Sequence, residues 1–184
     1  MSNHVCPWWA GYFIDNRLRR LIHDPTGIVG PYVRPGMAAL DVGCGMGFFS
    51  LALAALVGPT GCVIAADLQP EMLHVLQRRA ARAGLADRIR PHCCSPDRLG
   101  VTTPCDFALA FAMLHEVPDA ARLLAEIHAC LKPAGRLLIA EPRLHVSASA
   151  FAHELALAAS AGLVLREEPH VRWCRAAVLE RTPV

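Results

Sequence analysis

The stretch LDVGCGMGFFS, Leu40 to Ser50, decides the fold, because it joins the end of an apolar strand to a glycine turn and then to a helix. Glycines at Gly43, Gly45 and Gly47 let the backbone turn sharply and approach a ligand closely, which side chains there would block. The spacing is GxGxG. A dinucleotide fingerprint needs GxGxxG, and seats a pyrophosphate on amides at the helix N-terminus, where the partial positive charge favours an anion. Here the third glycine comes one residue early. Asp41, just before the turn, would repel a pyrophosphate and attract a cationic ligand.

Outward from this turn, short β-rich runs alternate with longer helical ones, the pattern of an α/β protein with a doubly wound, mostly parallel sheet. Ala38 to Val42 is the first strand and Phe48 to Val57 its helix; GPTG, Gly58 to Gly61, turns into a second strand, Cys62 to Ala66. A helix follows from Pro70 to Ala83, with proline suited to its first position and Gly84 to the position past its end. Arg88 to His92 is a third strand and Phe107 to Phe111 a fourth. Pro118 opens a helix that places Leu123, Leu124, Ile127 and Leu131 on one face. Gly135 to Ala140 gives a fifth strand and Ala150 to Gly162 a helix with a glycine stop. Leu163 to Arg166 and Arg172 to Glu180, joined by the short EEPHV, are expected to form an antiparallel hairpin. Residues 1–36 differ in flavour, with Trp8, Trp9, Tyr12 and Phe13 beside the amphipathic run Ile14, Leu18, Leu21, Ile22, and are expected to form a helical cap. One domain over residues 1–184 is expected, the sheet occupying 37–184.

At 184 residues with 54% hydrophobic side chains, the chain can bury a substantial core and is not of disordered composition. A formal net charge of +2 gives no basic excess of the kind that phosphate backbones demand. Arg17, Arg19 and Arg20 read as the solvated face of a helix. The start lacks a secretory pattern, and the apolar run Leu51 to Val57 is far shorter than a membrane span, so a cytoplasmic location is expected. Eight cysteines without a CxxC pair suit reduced thiols better than disulfides or a zinc centre, and no metal is expected.

The acid and glycines of Asp41, Gly43, Cys44, Gly45 and Gly47 resemble the first motif of the class I S-adenosylmethionine-dependent methyltransferases. That resemblance covers about residues 29–180 and implies a seven-stranded Rossmann-like sheet. It also implies that these residues hold S-adenosylmethionine, whose ammonium and sulfonium are cationic. Asp67, ending CVIAAD, could simply cap the next helix, but with the glycine motif it is expected to accept the ribose hydroxyls, and Leu68 to pack on the adenine. The family's adenine-binding acid after the third strand aligns with Cys94, a departure; Cys94 and Ser95 would contribute through backbone groups, or Asp97 would serve as a displaced acid. Phe111 would line the methionine portion of the cofactor, or serve as core.

Methyl transfer from a sulfonium is an in-line displacement that chiefly needs positioning. The crevice of a doubly wound sheet lies at the carboxyl ends of its strands, so the loops AMLHEVPD and EPRLHVS should face the acceptor. His115 is the candidate base, with Glu116 and His145 as acceptor-binding residues. Glu141 would bind the acceptor, or pair with Arg143 or another surface cation. Tyr12 or His4 could reach in from the N-terminal segment, and Cys6 and Cys44 are of the type that holds arsenite in some methyltransferases of metalloids. No NPPY-type segment follows the fourth strand, as it often does in enzymes that methylate nucleobases, so the expected partner is a small-molecule acceptor rather than nucleic acid. Two other readings remain: a non-catalytic S-adenosylmethionine-binding module, and a nicotinamide-dependent oxidoreductase, against which Asp41 and the glycine spacing speak.

Overall fold

The structure is a computed structural model that describes residues 22–182. Most of the expected N-terminal cap, including His4, Cys6, Trp8, Trp9, Tyr12, Phe13 and the arginines at Arg17, Arg19 and Arg20, lies outside these residues. The described part of it holds a short helix α1, Pro25–Val29, capped by Asp24, whose carboxylate accepts from Thr26 N at 3.1 Å.

The chain divides into two compact units between Cys94 and Ser95. The first carries β1 (Ala38–Val42), α2 (Phe48–Val57), β2 (Cys62–Asp67), α3 (Pro70–Arg82) and β3 (Ile89–Cys93). The second carries β4 (Cys105–Phe111), α4 (Ala120–Cys130), β5 (Leu131–Pro142), α5 (Ala148–Ser160), β6 (Leu163–Glu167) and β7 (Cys174–Arg181). Seven strands make a mixed sheet, three in the first unit in the order β3-β2-β1 and four in the second in the order β4-β5-β7-β6.

In the first unit the pairing is parallel throughout, with Leu40 opposite Ile64 and Asp67 opposite Cys93. Strands covered on both faces carry unbroken apolar runs rather than alternation. Accordingly β1 and β2 are buried nearly end to end, whereas β3 buries only Ile89. In the second unit β4 and β5 are parallel, and β7 runs antiparallel to both β5 and β6, which is the expected C-terminal hairpin. The core of this unit gathers Phe107, Leu109, Leu124, Ile127 and Leu137 to Ile139, all fully buried.

Several boundaries differ from the sequence reading for local reasons. Helix α4 starts at Ala120 rather than Pro118, because Asp119 caps it by accepting from Arg122 N at 2.9 Å. Helix α5 starts at Ala148 because Ser147 caps it through Ala150 N at 3.1 Å. Strand β5 begins at Leu131, four residues before Gly135, with a register shift that leaves Cys105 opposite Leu131 and Phe107 opposite Arg136. Ala134 takes a φ of 61° within that bulge, and Lys132 Nζ reaches Asp106 at 2.8 Å. Strand β7 starts at Cys174 because Trp173, at φ 60°, breaks the extended run.

Candidate functional site

The first unit supplies the glycine turn. Gly43, Gly45 and Gly47 have φ of 67°, 53° and 89°, the left-handed region that favours glycine. Two of the three meet different surroundings. A Cβ on Gly47 would lie 2.1 Å from Leu76 Cδ1 of α3, so this glycine lets two elements touch. A Cβ on Gly45 would meet nothing within 4 Å, so its face of the turn is open.

Four amides of the turn donate inside the protein. Gly43 N and Cys44 N both donate to Ala66 O, at 2.9 and 3.0 Å, and Gly47 N donates to Cys44 O at 3.0 Å. Gly45 N donates to Asp67 Oδ2 at 2.8 Å, while Asp67 Oδ1 accepts from Gln69 N at 2.9 Å. Asp67 thus fastens the end of β2 to the turn after β1 and shapes the entry to α3. Each of its oxygens has a second lone pair for a hydroxyl donor. Burial raises its proton affinity, and the amides of Gln69, Gly45 and Leu68 oppose that.

Asp41 is buried, at 3% exposure, and its Oδ2 accepts from Ser50 Oγ at 2.5 Å, which ties β1 to α2. Cys44 reports the local field. Its thiol is pushed well above the ordinary range by burial first, then by the charges of Asp41, Asp67 and Cys94. A turn edged by two carboxylates repels an anion, including a thiolate. Arg79 of α3 donates from Nη1 to Met46 O at 3.1 Å and holds the turn from the other side. Leu68 is 39% exposed at the end of β2, and Cys94 N donates to Asp67 O at 2.9 Å. Ser95 opens the second unit, where its hydroxyl donates to Asp97 Oδ1 at 3.0 Å. That hydrogen bond lowers the proton affinity of Asp97, which is fully exposed.

The second unit gathers the acid and imidazole groups. Phe111 ends β4 and is buried. Ala112 follows in the left-handed region, φ 55°, and donates its amide to Ala140 O at 2.7 Å. This turns the chain into a 3-10 turn, Leu114–Glu116, above the end of β5. Glu141 is fully buried there. Its Oε1 accepts from Met113 N at 3.2 Å and Leu114 N at 2.8 Å, and its Oε2 is hydrogen-bonded to His115 Nδ1. The expectation that Glu141 binds an acceptor or pairs with Arg143 is therefore corrected: it is buried beneath the loop, while Arg143 Nε donates to Cys174 O at 3.0 Å.

A carboxylate on Nδ1 fixes the ring so that Nε2 points away from it, the tautomer suited to accept a proton. His115 is 20% exposed at its side chain. Its proton affinity is raised, first by the Glu141 hydrogen bond, against burial, and further by the charges of Glu141, Glu116 and Glu154. Glu116 Oε1 lies 4.0 Å from Nε2, and the His145 ring lies edge-on to the His115 ring at 5.6 Å. His115, Glu116 and His145 are thus brought together. Glu154 of α5, which the sequence reading missed, is buried, and its Oε2 has no partner among the described residues. Its signal was an acid among the alanines of AFAHELALAAS. Tyr12 and Cys6 lie outside the described residues, among which no group of three or more His, Cys, Asp or Glu could hold a metal ion.

The profile of the family described as Methyltransferase domain matches residues 39–135, more than half of the chain. A demethylmenaquinone methyltransferase of Lactobacillus johnsonii is 36% identical over 110 residues, which span 59% of this chain and 45% of that protein. The chain thus spans less than half the length of that relative. Among solved structures, a SAM dependent methyltransferase from Aquifex aeolicus superposes with a TM-score of 0.85 at 22% identity, over 97% of this chain and all of that one. The cyclase SpnF superposes at 0.72 and 19% identity, over 86% of this chain and 80% of that one. One fold therefore carries proteins named for different chemistries.

Proposed function

We propose that this chain, which belongs to the methyltransferase-domain family, transfers a methyl group from S-adenosylmethionine to a small-molecule acceptor in the cytoplasm. The observation that carries this reading is the state of the glycine turn. The amides of Gly43, Cys44, Gly45 and Gly47 are already hydrogen-bonded within the protein, one of them to the carboxylate of Asp67. A pyrophosphate needs such amides free, so a nicotinamide dinucleotide fits poorly. The cationic cofactor fits the same turn. The open face at Gly45 admits its body, Asp67 retains lone pairs for ribose hydroxyls, and exposed Leu68 offers a surface to the adenine.

S-adenosylmethionine, when bound, supplies an activated methyl on sulfonium, so the protein's task is chiefly to orient the acceptor and receive its proton. His115 is the proton acceptor in this reading. Glu141 holds its Nδ1, leaving Nε2 as the basic atom, and Glu116 and His145 flank the ring. Phe111 belongs to the core at the end of β4, and Cys94 contributes its backbone rather than an acid side chain.

Calorimetric titration with S-adenosylhomocysteine and with NAD tests the proposal without knowledge of the acceptor. Binding of the first and none of the second is expected, with Asp67→Ala weakening the first about 10- to 150-fold, the range for charge-assisted hydrogen bonds of about 1.5–3 kcal/mol. Retention of NAD with no heat from the sulfur nucleoside would overturn it.

A further inference from the structure

Three loops of the second unit open at one end of its sheet. Strands β4 and β5 run parallel, with Phe111 opposite Ala140, so His115 after β4 and His145 after β5 both follow the carboxyl ends of their strands. Strand β7 runs the other way, with Pro142 opposite Cys174, so the residues that precede it, Arg172 and Trp173, stand at that same end. Hydrogen bonds fasten the last two loops together. Arg143 N donates to Trp173 O at 2.9 Å, Arg143 Nε to Cys174 O at 3.0 Å, and Arg175 Nε to Val146 O at 3.2 Å. The turn they hold, closed by His145 N on Pro142 O at 3.0 Å, carries Leu144, which is 92% exposed. Beside it, the His145 ring meets that of His115 at 5.6 Å. Trp173 is 58% exposed, although its backbone, at φ 60°, takes a conformation that bulky side chains rarely adopt. A strained backbone that presents an indole to water serves no core, and such outliers gather where proteins bind ligands. Charge at this end is divided. Glu116 lies 4.0 Å from His115 Nε2 and Glu141 is hydrogen-bonded to Nδ1, whereas the Arg172 guanidinium lies over the Trp173 ring, 4.9 Å from its centroid. With Arg143 and Arg175 on the same fastened loops, against Glu168 in the connection from β6, the β7 corner is basic.

We propose that Trp173 and Leu144 form the docking surface for the body of the methyl acceptor, and that this acceptor is an elongated, apolar, ring-bearing molecule with an anionic group at the end remote from its nucleophile. This rests on the reading of His115 as the proton acceptor. The strand order β4-β5-β7 sets the length, because the His115 loop and Trp173 stand two strand spacings apart, about 10 Å. The nucleophilic atom meets Nε2 of His115, the apolar body crosses Leu144, a flat ring lies along the indole, and the anion meets the Arg172 guanidinium. Charge fixes the direction. Reversed, the anion would face Glu116 and lose the arginines. Covering the indole and Leu144 removes apolar surface from water and supplies affinity, while the arginines supply orientation.

Two probes that differ only in charge test this on the full chain without cofactor: para-(para-hydroxyphenyl)benzoate, and para-phenylphenol, which lacks the carboxylate. In calorimetric titration the benzoate should bind about fivefold more tightly than the phenol, the size of an exposed ion pair. Its addition should also shift the His115 ring signals in nuclear magnetic resonance spectra, where they are assigned by their loss in His115→Gln. Trp173→Ala should weaken both probes about tenfold, as loss of an aromatic partner does, and Trp173→Phe should restore most of that. Leu144→Ser, at a position too exposed to disturb the fold, should weaken both about threefold. Arg172→Gln should abolish the difference between the probes. Equal affinity of the two probes for the wild type, affinities unmoved by Trp173→Ala and Leu144→Ser, or His115 signals that stay in place would overturn the proposal. Probes that fail to bind while S-adenosylhomocysteine binds would sink this inference alone, whereas failure of the sulfur nucleoside would sink the proposed function without touching these titrations.

Discussion

Gly45 and Gly47 stand two residues apart in one motif, and the same substitution should do opposite things to them. Gly47→Ala drives a methyl to 2.1 Å from Leu76 Cδ1 and keeps a φ of 89°, so it should destabilise the fold by about 2–4 kcal/mol in urea unfolding. Gly45→Ala meets no atom and should cost only about 1 kcal/mol for its left-handed φ, yet its methyl projects from the open face and should weaken S-adenosylhomocysteine binding by calorimetry. Equal stability losses would contradict this division. The motif itself was legible in the sequence because its residues are contiguous and their chemistry is local. That Gly47 answers to Leu76, and that Asp41 binds Ser50, was not legible, because both depend on how helices pack back on the strand. For Asp67 the sequence posed a choice between a ribose acceptor and a helix cap. Its two oxygens already serve Gly45 N and Gln69 N, so the side chain shapes the turn whether or not it also meets a ribose.

The loops after β4 and β5 act as one element, because a single buried carboxylate joins them across 26 residues of sequence. Sequence patterning located both loops and the residues on them, but a pairing of such long range leaves no periodic trace. The same limit explains the early start of β5 and the late start of α4: a bulge and an aspartate cap are local departures that hydrophobic periodicity averages away. Glu141→Ala should therefore remove more than one ion pair. It leaves the amides of Met113 and Leu114 without their acceptor, and a loss of about 3–5 kcal/mol is expected. Part of that loss is proton-linked. His115 has a raised folded pKa, so the stability it draws from Glu141 is fully present below the unfolded value of about 6.5 and fades as pH rises through the folded value. The stability difference between wild type and His115→Gln should thus be larger at pH 6 than at pH 8.5, as urea unfolding at the two pH values would show. A difference that grows with pH would remove Glu141 as the source of the shift.

At the level of the whole molecule, most of the shifted groups among the described residues lean one way, and their sum sets how their contribution to stability responds to pH. Glu154, raised from 4.5 to about 7, binds a proton in the folded state that the unfolded chain has released. His115 and Asp67, both raised, add to the same tendency, and the raised thiols of Cys44 and Cys130 extend it to alkaline pH. His128, lowered first by burial and then by Arg181, opposes them, as does the exposed Asp97. Where the folded state holds more protons than the unfolded chain, stability falls as pH rises. For Glu154 alone, that stability is complete below about pH 4.5 and lost by the time pH has passed 7, an effect of about 3 kcal/mol. The protein should accordingly be more stable at pH 5.5 than at pH 8.5. Glu154→Gln should flatten most of that slope, chiefly by making the protein more stable at pH 8.5, because it removes a buried charge and leaves a group of similar size. Urea unfolding of both proteins across this range gives the measurement. A wild-type curve that is level or rises with pH would mean that Glu154 is solvated or paired in solution, and the slope assigned to it would have to be abandoned.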